Sequence, residues 1–142
     1  MDSQTATAAP AVAPTVLLVE DDRDTLDMYS TFFEMSGMAV STSTSPADAL
    51  EAIGRRRPDA VVTDLGFTGV DAGSAFVHAL KSHAGTQPIP VIVLSGRSID
   101  QVSAATLAEA DLCLVKPVLP DALLANVQRL IADSARKCAK PA

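Results

Sequence analysis

Four short apolar runs, each closed by a polar residue, constrain this chain more than any other feature. Val16-Leu17-Leu18-Val19 leads into Glu20-Asp21-Asp22, and Ala60-Val61-Val62-Thr63 into Asp64. Val91-Ile92-Val93-Leu94 leads into Ser95, and Leu112-Cys113-Leu114-Val115 into Lys116 and then Pro117. Short, bounded runs rich in β-branched residues suit strands buried on both faces, as in a parallel sheet covered by helices. Ligands of open parallel sheets bind beyond the carboxyl ends of the strands. The pattern would therefore gather acids, a hydroxyl and an ammonium along one edge of one sheet.

Helical patterns separate the runs. A helix is expected over 22–36, with Leu26, Tyr29, Phe32 and Phe33 at helical spacing on one face and Gly37 as its stop. Residues 38–42 form a shorter, more polar strand, suited to an edge. Ser45-Pro46-Ala47-Asp48 opens a second helix with a cap, a first-turn proline and an acid, and Gly54 ends it. A Gly-containing loop over 66–73 precedes a third helix over 73–83. Ser98 can cap a fourth helix rich in Ala, Ser and Thr. Leu119, Leu123, Leu124, Val127, Leu130 and Ile131 mark a last amphipathic helix. Five β-α units predict one α/β domain over 15–134: a doubly wound, five-stranded parallel sheet with right-handed crossovers. If the strand order is the flavodoxin-like 2-1-3-4-5, the first and third strands are neighbours at the switch point. Residues 1–14, made of Ala, Thr, Pro and Ser with few large apolar side chains, read as a disordered tail, and 135–142 as a polar C-terminal tail.

At 142 residues, 48% of them apolar, the chain can bury one core, and with aromatics at 4% Val, Leu, Ile and Ala must fill it. The net charge of -6 argues against direct nucleic-acid binding, which relies on neutralising phosphates. No run has the length of a transmembrane helix, and no secretion leader opens the chain. Cys113 and Cys138 sit on a core strand and in a polar tail, poorly placed to pair, which fits a reducing cytoplasm.

If the first and third strands are neighbours, Glu20, Asp21, Asp22 and Asp64 crowd together. Like charges that close repel unless a cation intervenes. Mg²⁺, which takes hard oxygen ligands, is the natural cation. The plainer reading is that Asp21 or Asp22 only caps the first helix. That suffices for Asp22 but leaves Asp64 unexplained. Asp64 could accept a phosphoryl group as an acyl phosphate, with Lys116 and the Ser95 hydroxyl stabilising the transferring oxygens. Alone, Ser95 reads as a turn residue. Lys116, straight after four strand residues and before Pro117, is no ordinary surface lysine. His78 and His83 are five apart, not the three or four that share a helix face, which argues against a metal pair. Arg55-Arg56-Arg57 suits a solvated helix end.

Taken together, Leu17-Leu18-Val19-Glu20-Asp21-Asp22, Thr63-Asp64, Ser95-Gly96 and Lys116-Pro117 resemble the receiver domain of two-component response regulators, of single-domain type. The resemblance implies that Asp64 is phosphorylated by a histidine kinase or histidine phosphotransfer protein. It implies that Glu20, Asp21, Asp64 and the backbone carbonyl of Gly66 hold Mg²⁺, and that Ser95 and Lys116 contact the phosphoryl group. It also implies a signalling module in the cytoplasm, not an enzyme beyond its own phosphorylation and dephosphorylation. Such a module is a monomer or weak dimer that meets a downstream protein partner through the face built by the fourth helix, fifth strand and fifth helix, without binding nucleic acid or membrane. A cis Lys-Pro bond is typical of the family. Three departures stand out. Phe67-Thr68 and Asp71-Ala72 replace the usual Met-Pro and Asp-Gly, Cys113 stands where an aromatic switch residue is usual, and no output domain follows in this sequence, so the chain reads as a single-domain regulator or as a receiver cut from something longer. Two alternatives remain: a receiver-like scaffold that binds partners without phosphorylation, and a flavodoxin-like nucleotide binder. The acid-lined site and the missing glycine fingerprint disfavour the second.

Overall fold

The computed structural model describes residues 13–66 and 72–139, the side chains of 137–139 excepted. The N-terminal tail up to residue 12, the loop residues Phe67, Thr68, Gly69 and Asp71, and the Cys138 side chain lie outside the described residues.

Five strands and five helices alternate: β1 (Thr15–Val19), α1 (Arg23–Met35), β2 (Ala39–Ser43), α2 (Pro46–Arg55), β3 (Ala60–Asp64), α3 (Ala72–Lys81), β4 (Val91–Ser95), α4 (Ala104–Glu109), β5 (Leu112–Val115) and α5 (Pro120–Ala139). All strand pairs are parallel, in the order β2-β1-β3-β4-β5, which is the flavodoxin-like order. The three central strands are buried at every position, whereas β2 at the edge is buried only at Ser43. The pleat explains the unbroken apolar runs. Val16, Leu18, Ala60, Val62, Ile92 and Leu94 pack with α1 and α5 on one face. Leu17, Val19, Val61, Val91 and Val93 pack with α2 and α3 on the other. Successive residues point to opposite faces, so both faces must be apolar.

The local signals act much as the residues suggest. Asp22 caps α1, its carboxylate accepting from the Thr25 N–H at 3.1 Å. Gly37 turns the chain out of α1 at φ +95°, a conformation that glycine adopts at little cost. Ser45 caps α2, accepting from the Asp48 N–H at 3.2 Å, although α2 runs through Gly54 to Arg55. Gly73 is needed for close approach: a Cβ there would lie 2.7 Å from the Leu65 Cα. That contact seats the start of α3 directly against the end of β3.

Three further expectations differ from the structure. Ser98 precedes only a 3₁₀ turn (Ile99–Gln101) and makes no capping bond; α4 begins later, capped by Ser103, and is six residues long. The Ser103 hydroxyl oxygen accepts from the N–H three residues on (Thr106, 3.2 Å), whereas the N–H three residues after Ser98 (Gln101) donates to the Ser98 carbonyl and closes only a single turn. The last helix does not give way at Ser134 but continues to Ala139. Ala and polar helix formers there extend a helix already nucleated on the core. The third helix ends at Lys81 and not at His83. Among the described residues no helix is long and apolar enough to cross a membrane.

Candidate functional site

Register brings the polar strand ends together. Val19 pairs with Thr63, so Glu20 and Asp64 emerge side by side, each one residue past that pair. Asp64 pairs with Leu94, which places Ser95 one step further along β4, and Ser95 pairs with Val115, one step before Lys116. The Lys116 N–H donates to the Ser95 carbonyl at 2.7 Å, fixing the start of the segment that carries the lysine. The Lys116-Pro117 peptide bond is cis.

From there the Lys116 ammonium reaches back over the edge. Its Nζ lies 3.1 Å from Asp64 Oδ2 and 3.5 Å from Glu20 Oε1. The other Asp64 oxygen accepts from the Gly66 N–H at 3.0 Å. The second Glu20 oxygen accepts from the Asp22 N–H at 3.1 Å. Glu20 and Asp64 are buried, and Asp21 is exposed beside them. One oxygen from each of the three carboxylates can be chosen so that all lie within 4.8 Å of one another.

The electrostatics show an excess of negative charge. Burial, supported by the nearby Asp64 charge and Asp21, raises the Glu20 carboxyl from 4.5 to about 7, against the pull of the Asp22 N–H and Lys116. Burial alone would lower the Lys116 ammonium. Its hydrogen bond to Asp64, and the charges of Asp64 and Glu20, outweigh burial and hold it above its ordinary value. One ammonium thus faces three carboxylates. Hard oxygen donors in surplus charge, with one carboxylate open to solvent, fit a divalent cation of the Mg²⁺ kind.

The remaining candidates fall elsewhere. Asp22 turns away to Thr25, as a cap does, and those hydrogen bonds hold its carboxyl below the ordinary value. The buried Ser95 hydroxyl bridges its own loop, accepting from the Arg97 N–H at 3.0 Å and donating to the Arg97 carbonyl at 3.1 Å. Gly66 contributes its N–H to Asp64. His78 meets Glu109 at 2.7 Å across the α3–α4 packing, away from His83. Cys113 is a free thiol that packs toward α2 and α3, and burial pushes it up. One neighbour of the site escaped sequence reasoning: the Tyr29 hydroxyl, which donates to the Val118 carbonyl at 2.6 Å. Its one signal was a phenol on a face otherwise built of Leu and Phe.

Comparison with known proteins places this arrangement. The family described as the response regulator receiver domain matches residues 16–128. The chain belongs to that family. It is 39% identical over 120 residues to the transcriptional regulatory protein PrrA of Mycobacterium tuberculosis, covering 84% of this chain and 50% of PrrA. It is 32% identical over 121 residues to GlrR of Escherichia coli, covering 84% of this chain and 27% of GlrR. The receiver therefore spans half or less of the length of these relatives. Among solved structures, chemotaxis protein CheY4 of Vibrio cholerae superposes with a TM-score of 0.76 at 27% identity, over 84% of this chain and 99% of that one. The Francisella response regulator 1452 receiver domain gives 0.75 at 26%, over 85% and 98%.

Proposed function

We propose that Asp64 accepts a phosphoryl group from a histidine kinase or histidine phosphotransfer protein, and that a downstream protein reads the change through the face formed by α4, β5 and α5. The observation that carries this reading is the Asp64 carboxylate itself. It is buried at the end of a central strand, with one oxygen 3.1 Å from the Lys116 ammonium and two further carboxylates alongside. In the transfer, an Asp64 oxygen forms a bond to phosphorus as the bond from phosphorus to the donor's imidazole nitrogen breaks. The imidazole leaves with the electron pair and takes up a proton, and water later returns the acyl phosphate to carboxylate and phosphate. When bound by Glu20, Asp21, Asp64 and the Gly66 carbonyl, Mg²⁺ supplies charge neutralisation at the transferring oxygens. Lys116 adds a fixed positive charge 3.1 Å from Asp64 Oδ2, and the Ser95 hydroxyl can leave the Arg97 carbonyl to donate to a phosphoryl oxygen.

The module carries out no chemistry beyond its own phosphorylation and dephosphorylation. Its net charge of -6 disfavours direct binding to nucleic acid or an anionic membrane, and it acts in the cytoplasm, as a monomer or weak dimer, through protein partners. Intact mass after incubation with acetyl phosphate and Mg²⁺ tests the reading. One added phosphoryl group is expected in the wild type and none in Asp64→Asn. Labelling that survives Asp64→Asn, or is absent from the wild type, overturns it.

A further inference from the structure

Lys116 must hold its ammonium over Asp64 from a segment with little regular structure of its own. Between the end of β5 and the start of α5, the backbone is pinned at Lys116, whose N–H meets the Ser95 carbonyl. Pro117 has no N–H to offer. The next anchor is the Val118 carbonyl, which accepts from the Tyr29 hydroxyl at 2.6 Å. Among the described residues, no other hydrogen bond joins α1 to this segment. Tyr29 is itself fixed: only 6% exposed, its ring packs in the same cluster as Phe33, Leu123 and Val127, and the Val118 side chain packs against that cluster too.

We propose that Tyr29 is a positioning residue for the acceptor site: its hydroxyl, carried on α1, holds the Val118 carbonyl and so fixes the segment that aims Lys116 at Asp64. The functional consequence rests on Asp64 being the phosphoryl acceptor; the geometric one does not. The lysine is bracketed by a bond that its own N–H donates to β4 on one side and a bond that the Val118 carbonyl accepts from α1 on the other. An ammonium at the end of four methylenes points reliably only if its own backbone does not shift. The phenol is suited to the task. Burial raises it above its ordinary value, opposed by Lys116 and supported by Glu20, so it remains a protonated donor at neutral pH. Phosphoryl transfer depends chiefly on placement of charge, so a small displacement of Lys116 lowers the rate without unfolding anything.

The test is Tyr29→Phe in the full chain, which keeps the ring and removes the bond. The direct readout is the ¹⁵N–¹H signal of the lysine ammonium groups. Lys116 is held by Asp64 and Glu20, and Lys81 by three acceptors at the opposite sheet edge, so both should exchange slowly and be visible. The expected result is loss of the Lys116 signal in Tyr29→Phe with Lys81 unchanged; an unaltered Lys116 signal overturns the proposal. The second readout is labelling rate at saturating acetyl phosphate, expected to fall about tenfold from misplacement of the ammonium. Val127→Ala, which loosens the same buried cluster, should label at the wild-type rate. In a Lys116→Gln background, Tyr29→Phe should change the rate no further; a further loss of the same size would mark general loosening and overturn the proposal. Should the wild type not label at all, the acceptor reading fails, and the ammonium signals still decide whether Tyr29 positions Lys116.

Discussion

The two edges of the sheet use the same side chains to opposite effect. At the amino edge, the Lys81 ammonium donates to the Gln87 carbonyl at 3.0 Å, the Ile89 carbonyl at 2.8 Å and Asp111 Oδ2 at 2.8 Å. Asp111 Oδ2 also accepts from the first N–H of β4, and Asp59 does the same for β1, each at 2.8 Å. The three N–H donors of Lys81 meet three acceptors, and its positive charge meets the negative charge of Asp111. At the carboxyl edge, one ammonium faces Glu20, Asp21 and Asp64. The Lys81 side chain is 10% exposed and that of Lys116 32%. Matched charge makes a fastener that ties α3 to the mouths of β4 and β5. Unmatched charge makes a place where a cation or a transferred group improves the balance.

Exchanging the roles gives the largest effects. Lys116→Ala is expected to cut labelling of Asp64 by about 10²-fold, as loss of a fixed donor at a reacting oxygen does. Lys81→Ala is expected to leave labelling intact but to cost about 2–3 kcal/mol in a denaturant melt, since it strips a charged donor from two carbonyls and an acid. Equal effects of the two substitutions on both readouts would erase the distinction between the edges.

The next effect tests the surplus of acid. Asp21→Ala removes one carboxylate from the crowded edge. Without metal the variant is expected to be more stable, by about 0.5–1 kcal/mol given the exposure of Asp21, and so to melt at a higher temperature. Mg²⁺ should then stabilise the variant far less than the wild type. A Mg²⁺ shift unchanged by Asp21→Ala would remove that residue from the cation site.

A pH series sharpens the same point. Glu20 is raised from 4.5 to about 7 in the folded chain, so between those values the folded state holds a proton that the unfolded state has lost. Stability of the metal-free protein from this group therefore falls as pH rises from about 4.5 to 7, and Mg²⁺ affinity climbs over the same window as the proton is released. Glu20→Gln should flatten both slopes. The measurement is a set of thermal melts across that range, with and without Mg²⁺.

What the sequence could and could not disclose follows from the same contrast. The buried strands were readable because each carries an apolar run that does not alternate with polar residues. The carboxyl-edge residues stood out because Glu20, Asp64, Ser95 and Lys116 directly end those runs. The amino edge was invisible. Lys81 lies in the last turn of a helix, where a lysine is ordinary, and two of its partners are backbone carbonyls that no side-chain pattern encodes. Tyr29 was placed on the inward face of α1, but periodicity says which way a ring points, not where its hydroxyl ends. The start of α4 was missed because Ser98 and Ser103 are equally good caps on paper. The polar composition after Ser134 suggested a tail, yet an amphipathic helix once docked can run on through such residues.

The smallest expected effect concerns how the two edges communicate with the rest of the surface. Ser95 holds the loop after β4 with a pair of bonds to Arg97, at 3.0 and 3.1 Å. A phosphoryl group on Asp64 that captures the Ser95 hydroxyl breaks at least the bond to the Arg97 carbonyl, so the loop loses one of its fasteners. Cys113 is too small to follow by ring rotation, as an aromatic residue there would. The displacement must then pass along the chain to α4. That helix is poorly anchored: Thr106 is its one buried residue, held by hydroxyl contacts to Ser103 at 2.8 Å and Ser74 at 2.9 Å. Few apolar contacts oppose a shift, so a bias worth less than about 1 kcal/mol can move the population. Backbone amide shifts with Mg²⁺ and beryllium fluoride, a phosphoryl mimic, should concentrate over residues 96–107. Thr106→Val keeps the volume but cuts the hydroxyl chain to Ser74, and should shift the same amides part of the way without the mimic. Changes confined to residues 65–73 would show instead that phosphorylation is read at the loop beside Asp64, and that α4 plays no part in the output.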